Sequence, residues 1–267
     1  MTVAVRIANL NLSYGSKEIL HNISLSVQEG EFYVIIGPNG SGKTSLLKTI
    51  AGINHPAAGT LAILGKPLPD YPRKDLSQIL AVVPQQAPED FPFNVLDTVL
   101  MGRTPHLGLL EMERKEDHEL AWQAMEFTDV ARLADRRLDQ LSGGERQRVI
   151  IARAICQQPR VILLDEPTAS LDPAHQIKIM DLMARFRTEQ KTTVIMVSHD
   201  LNLAALYGDR LLLLKNGKRI VTGPPDAVLT HEQLELSYGC KMQVDKNPVC
   251  GCPRVVPIPE KYHSRIN

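Results

Sequence analysis

The sequence predicts an α/β fold with a mainly parallel core sheet, and three observations carry that expectation. Short apolar runs alternate with helical segments. One run, Phe32–Ile36, is continuous and largely β-branched, as in a strand buried on both faces, and it leads into a glycine-rich loop that opens a helix. Another, Val161–Leu164, ends directly in two acids, Asp165 and Glu166.

Taken in order, Val3–Ile7 and Ile23–Val27 read as strands, with Glu29-Gly30 as a turn before Phe32. Ser45–Ala51 reads as a helix closed by Gly52 in the C′ position. Leu61–Leu64 and Leu80–Val83 are further short strands. Residues 94–102 and 111–137 are rich in helix formers and contain no strand-like run, so a helical insertion is expected between two strand-bearing halves. Strand signals return at Val161–Leu164, Thr193–Val197 and Arg210–Leu214. From about residue 224 the chain carries six prolines, three cysteines and weak periodicity, which predicts a small irregular appendage.

Composition narrows the function classes. Lys plus Arg and Asp plus Glu both total 30, so no global basic field exists to draw nucleic acid. Apolar runs such as Val161–Leu164 and Leu211–Leu214 fall far short of the roughly 20 residues needed to span a bilayer. The start, MTVAVRIANLNLSYG, lacks the basic, apolar and small-residue regions of a signal peptide. A soluble, cytosolic chain is expected.

The chemistry sits in motifs. Gly37-Pro38-Asn39-Gly40-Ser41-Gly42-Lys43-Thr44 fits G-x-x-x-x-G-K-[ST], a loop whose glycines let backbone N–H groups turn inward around phosphate oxygens. Lys43 would reach the β- and γ-phosphates, and the Thr44 hydroxyl would ligate Mg²⁺. Asp165 would hold Mg²⁺, and Glu166 is placed to polarise an attacking water as general base. Leu141-Ser142-Gly143-Gly144-Glu145 begins a helix with Ser142 as N-cap and Glu145 completing a capping box. Its two leading glycines leave N-terminal amides bare, a second anion site.

Both phosphate-binding elements, in this order and spacing, resemble the ATP-binding cassette (ABC) ATPases, whose signature is LSGGQ. The resemblance covers about residues 3–240. It implies an ATP-binding core with an antiparallel β subdomain and an inserted helical subdomain at about 90–157, leaving 241–267 as a small irregular tail. Tyr14 matches the family's adenine-stacking aromatic, with a core tyrosine at a strand end as the alternative. Gln85 matches the loop glutamine that senses Mg²⁺ and the attacking water, with Gln86 as the competing register. Asp172 in Ser170-Leu171-Asp172 matches the dimer-interface loop and locally caps a helix begun by Pro173. His199 matches the switch histidine that contacts the γ-phosphate; the other seven histidines read as surface or packing. The resemblance implies a head-to-tail homodimer, with each ATP between one chain's loop and Ser142, Gly143, Gly144 and Glu145 of the other. ATP and Mg²⁺ are the implied ligands.

One cassette without a membrane span implies separate permease subunits. The segment Gly102-Arg103-Thr104-Pro105-His106 is similar to the GRxPH-type sequence of importer ATPases serving iron–siderophore, haem and cobalamin permeases, as is the tail segment Pro253–Pro257. Membership of that group implies two permease subunits, an indirect substrate-binding protein, no nucleic acid, and a peripheral place on the cytoplasmic face of the inner membrane. Importers of molybdate, zinc or amino acids, or a soluble ABC ATPase acting on DNA or ribosomes, are the alternatives. Phe91, Phe93, Leu96, Leu107, Leu109 and Leu110 would line the permease groove or fill the helical core. Cys240, Cys250 and Cys252 depart from the group's pattern. Such spacing could ligate Zn²⁺ or an Fe–S cluster, or the three are ordinary reduced thiols. Cys156 reads as buried packing.

Overall fold

The computed structural model describes residues 2–85, 92–108 and 111–265; Gln86, Phe91, Leu109 and Leu110, named above, lie outside these. In chain order the elements are β1 (Val3–Tyr14), β2 (Lys17–Gln28), β3 (Phe32–Ile36), α1 (Lys43–Ile50), β4 (Ala58–Ile63) and β5 (Lys66–Pro67). Next come α2 (Arg73–Ile79), β6 (Leu80–Val83), α3 (Val95–Leu100), α4 (Lys115–Phe127), α5 (Gly143–Cys156), β7 (Val161–Asp165), α6 (Pro173–Gln190) and β8 (Thr193–Val197). The chain closes with α7 (Leu201–Tyr207), β9 (Arg210–Lys215), β10 (Lys218–Gly223), α8 (Pro225–Val228), α9 (His231–Tyr238), β11 (Met242–Lys246) and β12 (Pro253–Pro257). Parallel and antiparallel pairs alternate with helices, an α/β fold.

Two compact units partition the chain. The first comprises Met1–Leu68 and Ile195–Asn267. Its antiparallel sheet runs β2-β1-β4-β5. β1 and β2 form a hairpin with Tyr14 opposite Lys17, and Gly15 takes the positive φ of 59° that the tight turn requires. Both strands extend well beyond the apolar cores Val3–Ile7 and Ile23–Val27, because cross-strand pairing carries the polar residues between them. β3 pairs parallel with β9 from Tyr33↔Arg210 to Ile36↔Leu213, and all five β3 residues are buried, as a continuous apolar run requires. α1 ends with Gly52 at φ 72°, the expected left-handed stop.

The tail is more regular than its sequence suggests. β11 and β12 pair antiparallel from Met242↔Pro257 to Lys246↔Pro253. Two of the six prolines, Pro253 and Pro257, stand at the ends of β12, where a missing N–H costs least, so they are compatible with a strand. The Asn202 side chain on α7 accepts from the Val255 amide at 2.8 Å and donates to its carbonyl at 3.2 Å, pinning the hairpin to that helix. Cys250 and Cys252 are joined in a disulfide, and Cys240 is free and exposed. Neither metal ligation nor three free thiols describes them, and among the described residues no three His, Cys, Asp or Glu side chains gather as a metal cluster.

The second unit is Pro69–Val194. β6 pairs parallel with β7 from Leu80↔Val161 to Val83↔Leu164. Helices α3, α4 and α5 pack together through Val95, Val99, Ala121, Ala124, Met125, Val149 and Ile150, all buried. Cys156, at the end of α5, is 1% exposed, and burial pushes its thiol up to about 12, so it is packing, as its sequence context predicted. Among the described residues no helix is long and apolar enough to cross a membrane.

Candidate active site

In the first unit, β3 delivers the chain to the loop Gly37–Thr44. Gly37 has φ 148°, and a Cβ there would lie 2.2 Å from the Leu214 carbonyl oxygen of neighbouring β9, so no side chain fits. Gly40 and Gly42 also take positive φ, 75° and 100°. Such turned glycines aim successive amides into one concavity, an anion cradle. Lys43 is buried, and its Nζ donates to the Gly37 and Pro38 carbonyls at 2.9 and 3.1 Å, which holds the ammonium over the loop. Ser41 Oγ is buried with no hydrogen-bond partner. No acid stands in the first turn of α1, so the positive end of its dipole is undiminished. An orphaned hydroxyl, a cradle that a Cβ would fill and a held ammonium together fit a polyphosphate.

Tyr14 is 49% exposed, so the core reading fails for it. Its hydroxyl accepts from Asn54 Nδ2 at 2.7 Å, and Asn54 also donates to the Ser45 carbonyl of α1, tying the ring to the helix behind the loop. His199 follows Ser198, whose amide donates to the Ile35 carbonyl at 3.0 Å, so the histidine emerges at the end of β3 that opens the loop. Tyr238, which the sequence reading passed over, comes from α9. Burial raises its phenol to about 12, partly opposed by the backbone amide of Gly37 beside it.

The second unit assembles a different set. Because Val83 pairs with Leu164 in parallel register, the residues after each strand leave side by side. Gln85 Nε2 donates to Glu166 Oε2 at 2.7 Å. Asp165 and Glu166 are 7% and 8% exposed. Glu166 sits at φ 50°, a left-handed conformation that costs a non-glycine residue about 1–3 kcal/mol, a strain typical of functional sites. Two further turns, Ala169 N to Glu166 O and Leu171 N to Thr168 O, lead to Asp172. Asp172 caps α6 by accepting from the His175 amide at 2.9 Å, and its second oxygen accepts from His175 Nδ1 at 2.8 Å. These two bonds hold the Asp172 carboxyl below its ordinary range.

At the start of α5, Ser142 Oγ accepts from the Glu145 amide at 3.3 Å and Glu145 Oε2 accepts from the Ser142 amide at 3.1 Å, the capping box expected from the sequence. The Ser142 hydroxyl, then its amide, holds the Glu145 carboxyl below its usual range. Gly143 faces open space, but a Cβ on Gly144 would lie 2.7 Å from His175 Cδ2. A side chain at position 144 would therefore have to displace the imidazole packed there.

The segment Gly102–His106 turns out to buttress the other end of α5. A Cβ on Gly102 would lie 2.2 Å from the Arg153 carbonyl. Arg103, 7% exposed, donates from Nε to Asp117 Oδ1 at 2.8 Å and from Nη1 to the Cys156 carbonyl at 3.0 Å. His106 Nε2 donates to the Gln157 carbonyl at 3.0 Å. Both side chains thus donate to carbonyls that the helix end leaves unpaired. Arg103 first, then the Arg114 amide, pulls the Asp117 carboxyl below its ordinary 3.8. With the folded value depressed, this pair stabilises fully above about pH 4 and loses that contribution as pH falls through the lower folded value. Thermal melts followed by circular dichroism at a series of pH values are expected to show wild type more stable than Asp117→Asn above about pH 4, with the gap narrowing as pH falls below it.

Known proteins place these features in a family. The model of the ABC transporter family matches residues 20–169. The chain belongs to the ABC transporter family. It is 43% identical over 261 residues to the hemin import ATP-binding protein HmuV of Gloeobacter violaceus, covering 95% of this chain and 94% of that one. An ABC transporter described as of metal-chelate type, solved in an inward-facing conformation, matches at TM-score 0.87 with 30% identity, covering 98% of this chain and 99% of that one. An ATP-binding cassette solved as a dimer in a post-hydrolysis state with ADP and Pi matches at TM-score 0.74 with 32% identity, over 82% of this chain and 98% of the other. The ABC fold thus brings Gln85 to Glu166, and Asp172 to Gly144 through His175, within one unit. It sets Gly37–Thr44, Tyr14 and His199 within the other.

Proposed function

We propose that this ABC ATPase hydrolyses ATP to energise the import of a metal chelate, with haem first in line and ferric siderophores and cobalamin next. The observation that carries the hydrolytic reading is the buried Glu166 carboxylate, strained into position and clasped by Gln85 at 2.7 Å. The cargo reading rests on the likeness to a hemin importer over nearly the whole chain.

In this reading the Gly37–Thr44 amides and Lys43 bind the β- and γ-phosphates, and Tyr14 stacks on adenine. Thr44, Gln85 and Asp165 offer hydroxyl, amide and carboxylate oxygens, a hard donor set suited to Mg²⁺. When bound, that ion neutralises charge developing on the phosphate oxygens. Glu166 takes the proton of the attacking water as its oxygen bonds to the γ-phosphorus and the bond to the bridging oxygen breaks. Gln85 orients the water, and His199 reaches the γ-phosphate. Ser142, Gly143 and Gly144 of a second copy close on that phosphate, their α5 N-terminus supplying amides and dipole, while Glu145 keeps the cap intact. Two chains therefore stack head to tail, and loss of the γ-phosphate releases them, a switch built on differential contacts.

Two permease subunits, served outside by a binding protein, would receive this motion at the cytoplasmic face of the membrane, where the ATPase is peripheral. Phe93 at 40% exposure, with half-buried Leu96 and Leu107, supplies apolar surface for that docking. Uptake in cells lacking the gene, complemented with wild type or Lys43→Ala, tests the proposal. Labelled haem, ferric siderophores, cobalamin, manganese and molybdate are supplied separately. Haem uptake should return only with wild type; restoration of manganese or molybdate alone would overturn the chelate reading, and restoration of none would overturn import.

A further inference from the structure

We infer that His175 is a positioning residue that locks the Asp172 loop to the Ser142-Gly143-Gly144 loop, so that both meet a second copy of this chain as one rigid edge. The inference rests on the head-to-tail reading above.

Three contacts converge on this side chain. Its backbone amide and its Nδ1 both donate to the Asp172 carboxylate, at 2.9 and 2.8 Å, one oxygen each. Because both bonds go to one carboxylate, they set the orientation of the imidazole relative to the loop ending at Asp172. The opposite face of the ring lies on Gly144: a Cβ there would be 2.7 Å from Cδ2, 3.2 Å from Cγ and 3.3 Å from Nε2. The ring therefore occupies the space that any side chain at position 144 would need. Gly144 stands one residue into α5, the helix whose bare amides are the second anion site. The same loop is tied upstream as well, since Gln176 Nε2 donates to the Thr168 carbonyl at 3.2 Å and the Ala169 amide donates to the Glu166 carbonyl. A path of short contacts thus runs from Glu166 through Asp172 and His175 to Gly144.

A residue with this role should affect association of two chains and not the binding of nucleotide to one. The test is made in the full-length chain carrying Glu166→Gln, so that ATP is held and dimers accumulate. His175→Ala is expected to raise the ATP concentration for half-maximal dimerisation about tenfold, the scale of one lost charge-assisted hydrogen bond, read by light scattering. Affinity of the monomer for a fluorescent ATP analogue should stay within about twofold, since the Gly37–Thr44 loop is untouched, and the melting midpoint reports whether the fold is kept.

Gly144→Ala supplies the independent check, because it drives a methyl into the imidazole from the other side. It should impair dimerisation, and adding His175→Ala to it should restore dimerisation above the Gly144→Ala level, as removal of the ring removes the clash. A general loss of stability would make the double variant worse than either single one. Ser142→Arg is the control for the head-to-tail reading and should abolish ATP-driven dimers. If Ser142→Arg abolishes them while His175→Ala dimerises like its parent, the positioning role is overturned and the dimer stands. If Ser142→Arg also dimerises normally, the head-to-tail reading falls and this inference with it.

Discussion

Replacing Glu166 by Gln is expected to lower steady-state ATP turnover by about 10²–10⁴-fold, the range a positioned general base contributes. Nucleotide affinity should change little. The substitution keeps side-chain volume and leaves an amide oxygen to accept from Gln85 Nε2, which now bonds Glu166 at 2.7 Å. It also asks nothing new of the backbone, since Gln tolerates the φ of 50° no better and no worse than Glu. What it removes is the basic oxygen that receives the water's proton. ATP should therefore bind, draw two chains together and stay. Steady-state phosphate release and light scattering in the same sample would show both effects. A variant that hydrolyses at the wild-type rate would remove Glu166 from the role of base, leaving His199 to be tried next.

The largest expected loss of stability follows Arg103→Met. The buried pair of Arg103 with Asp117 is well made, with side chains 9% exposed on both partners. Replacing the cation strands the Asp117 carboxylate in a site that excludes water and deprives the Cys156 carbonyl of its donor. Breaking such a pair costs about 3–5 kcal/mol, or roughly 10 °C in melting midpoint for a chain of this size. Removing both charges with Arg103→Met and Asp117→Leu should recover most of that loss, because no ion is then left unpaired. Thermal denaturation of the four proteins completes the cycle. Equal midpoints for wild type and Arg103→Met would show that solvent reaches this pair.

Local rules carried much of the architecture. Leu80–Val83 and Thr193–Val197 are strands with the bounds their apolar runs predict, and Ser142 and Asp172 cap the helices they precede. Those features depend on neighbours within a few residues, which a sequence displays. The phosphate loop was legible for the same reason: its glycines, lysine and threonine are contiguous. The contact between Gln85 and Glu166 was not, because it depends on parallel register between strands about 80 residues apart. His175 reads from sequence as a surface or packing histidine, although its place three residues after a capping Asp is a usable signal. His106 offered no local signal, since the carbonyl it serves lies 51 residues away. The tail misled in the other direction: its prolines suggested irregularity, yet two of the six, Pro253 and Pro257, bound a strand, β12.

Gly102 and Arg103 press backbone against backbone and guanidinium against helix end, with nothing there that a transported molecule could meet. The segment fixes the lie of α5 from its C-terminal end, so a change made there would be felt at the far end of its 14 residues, where the same helix starts at Gly143 behind its Ser142 cap.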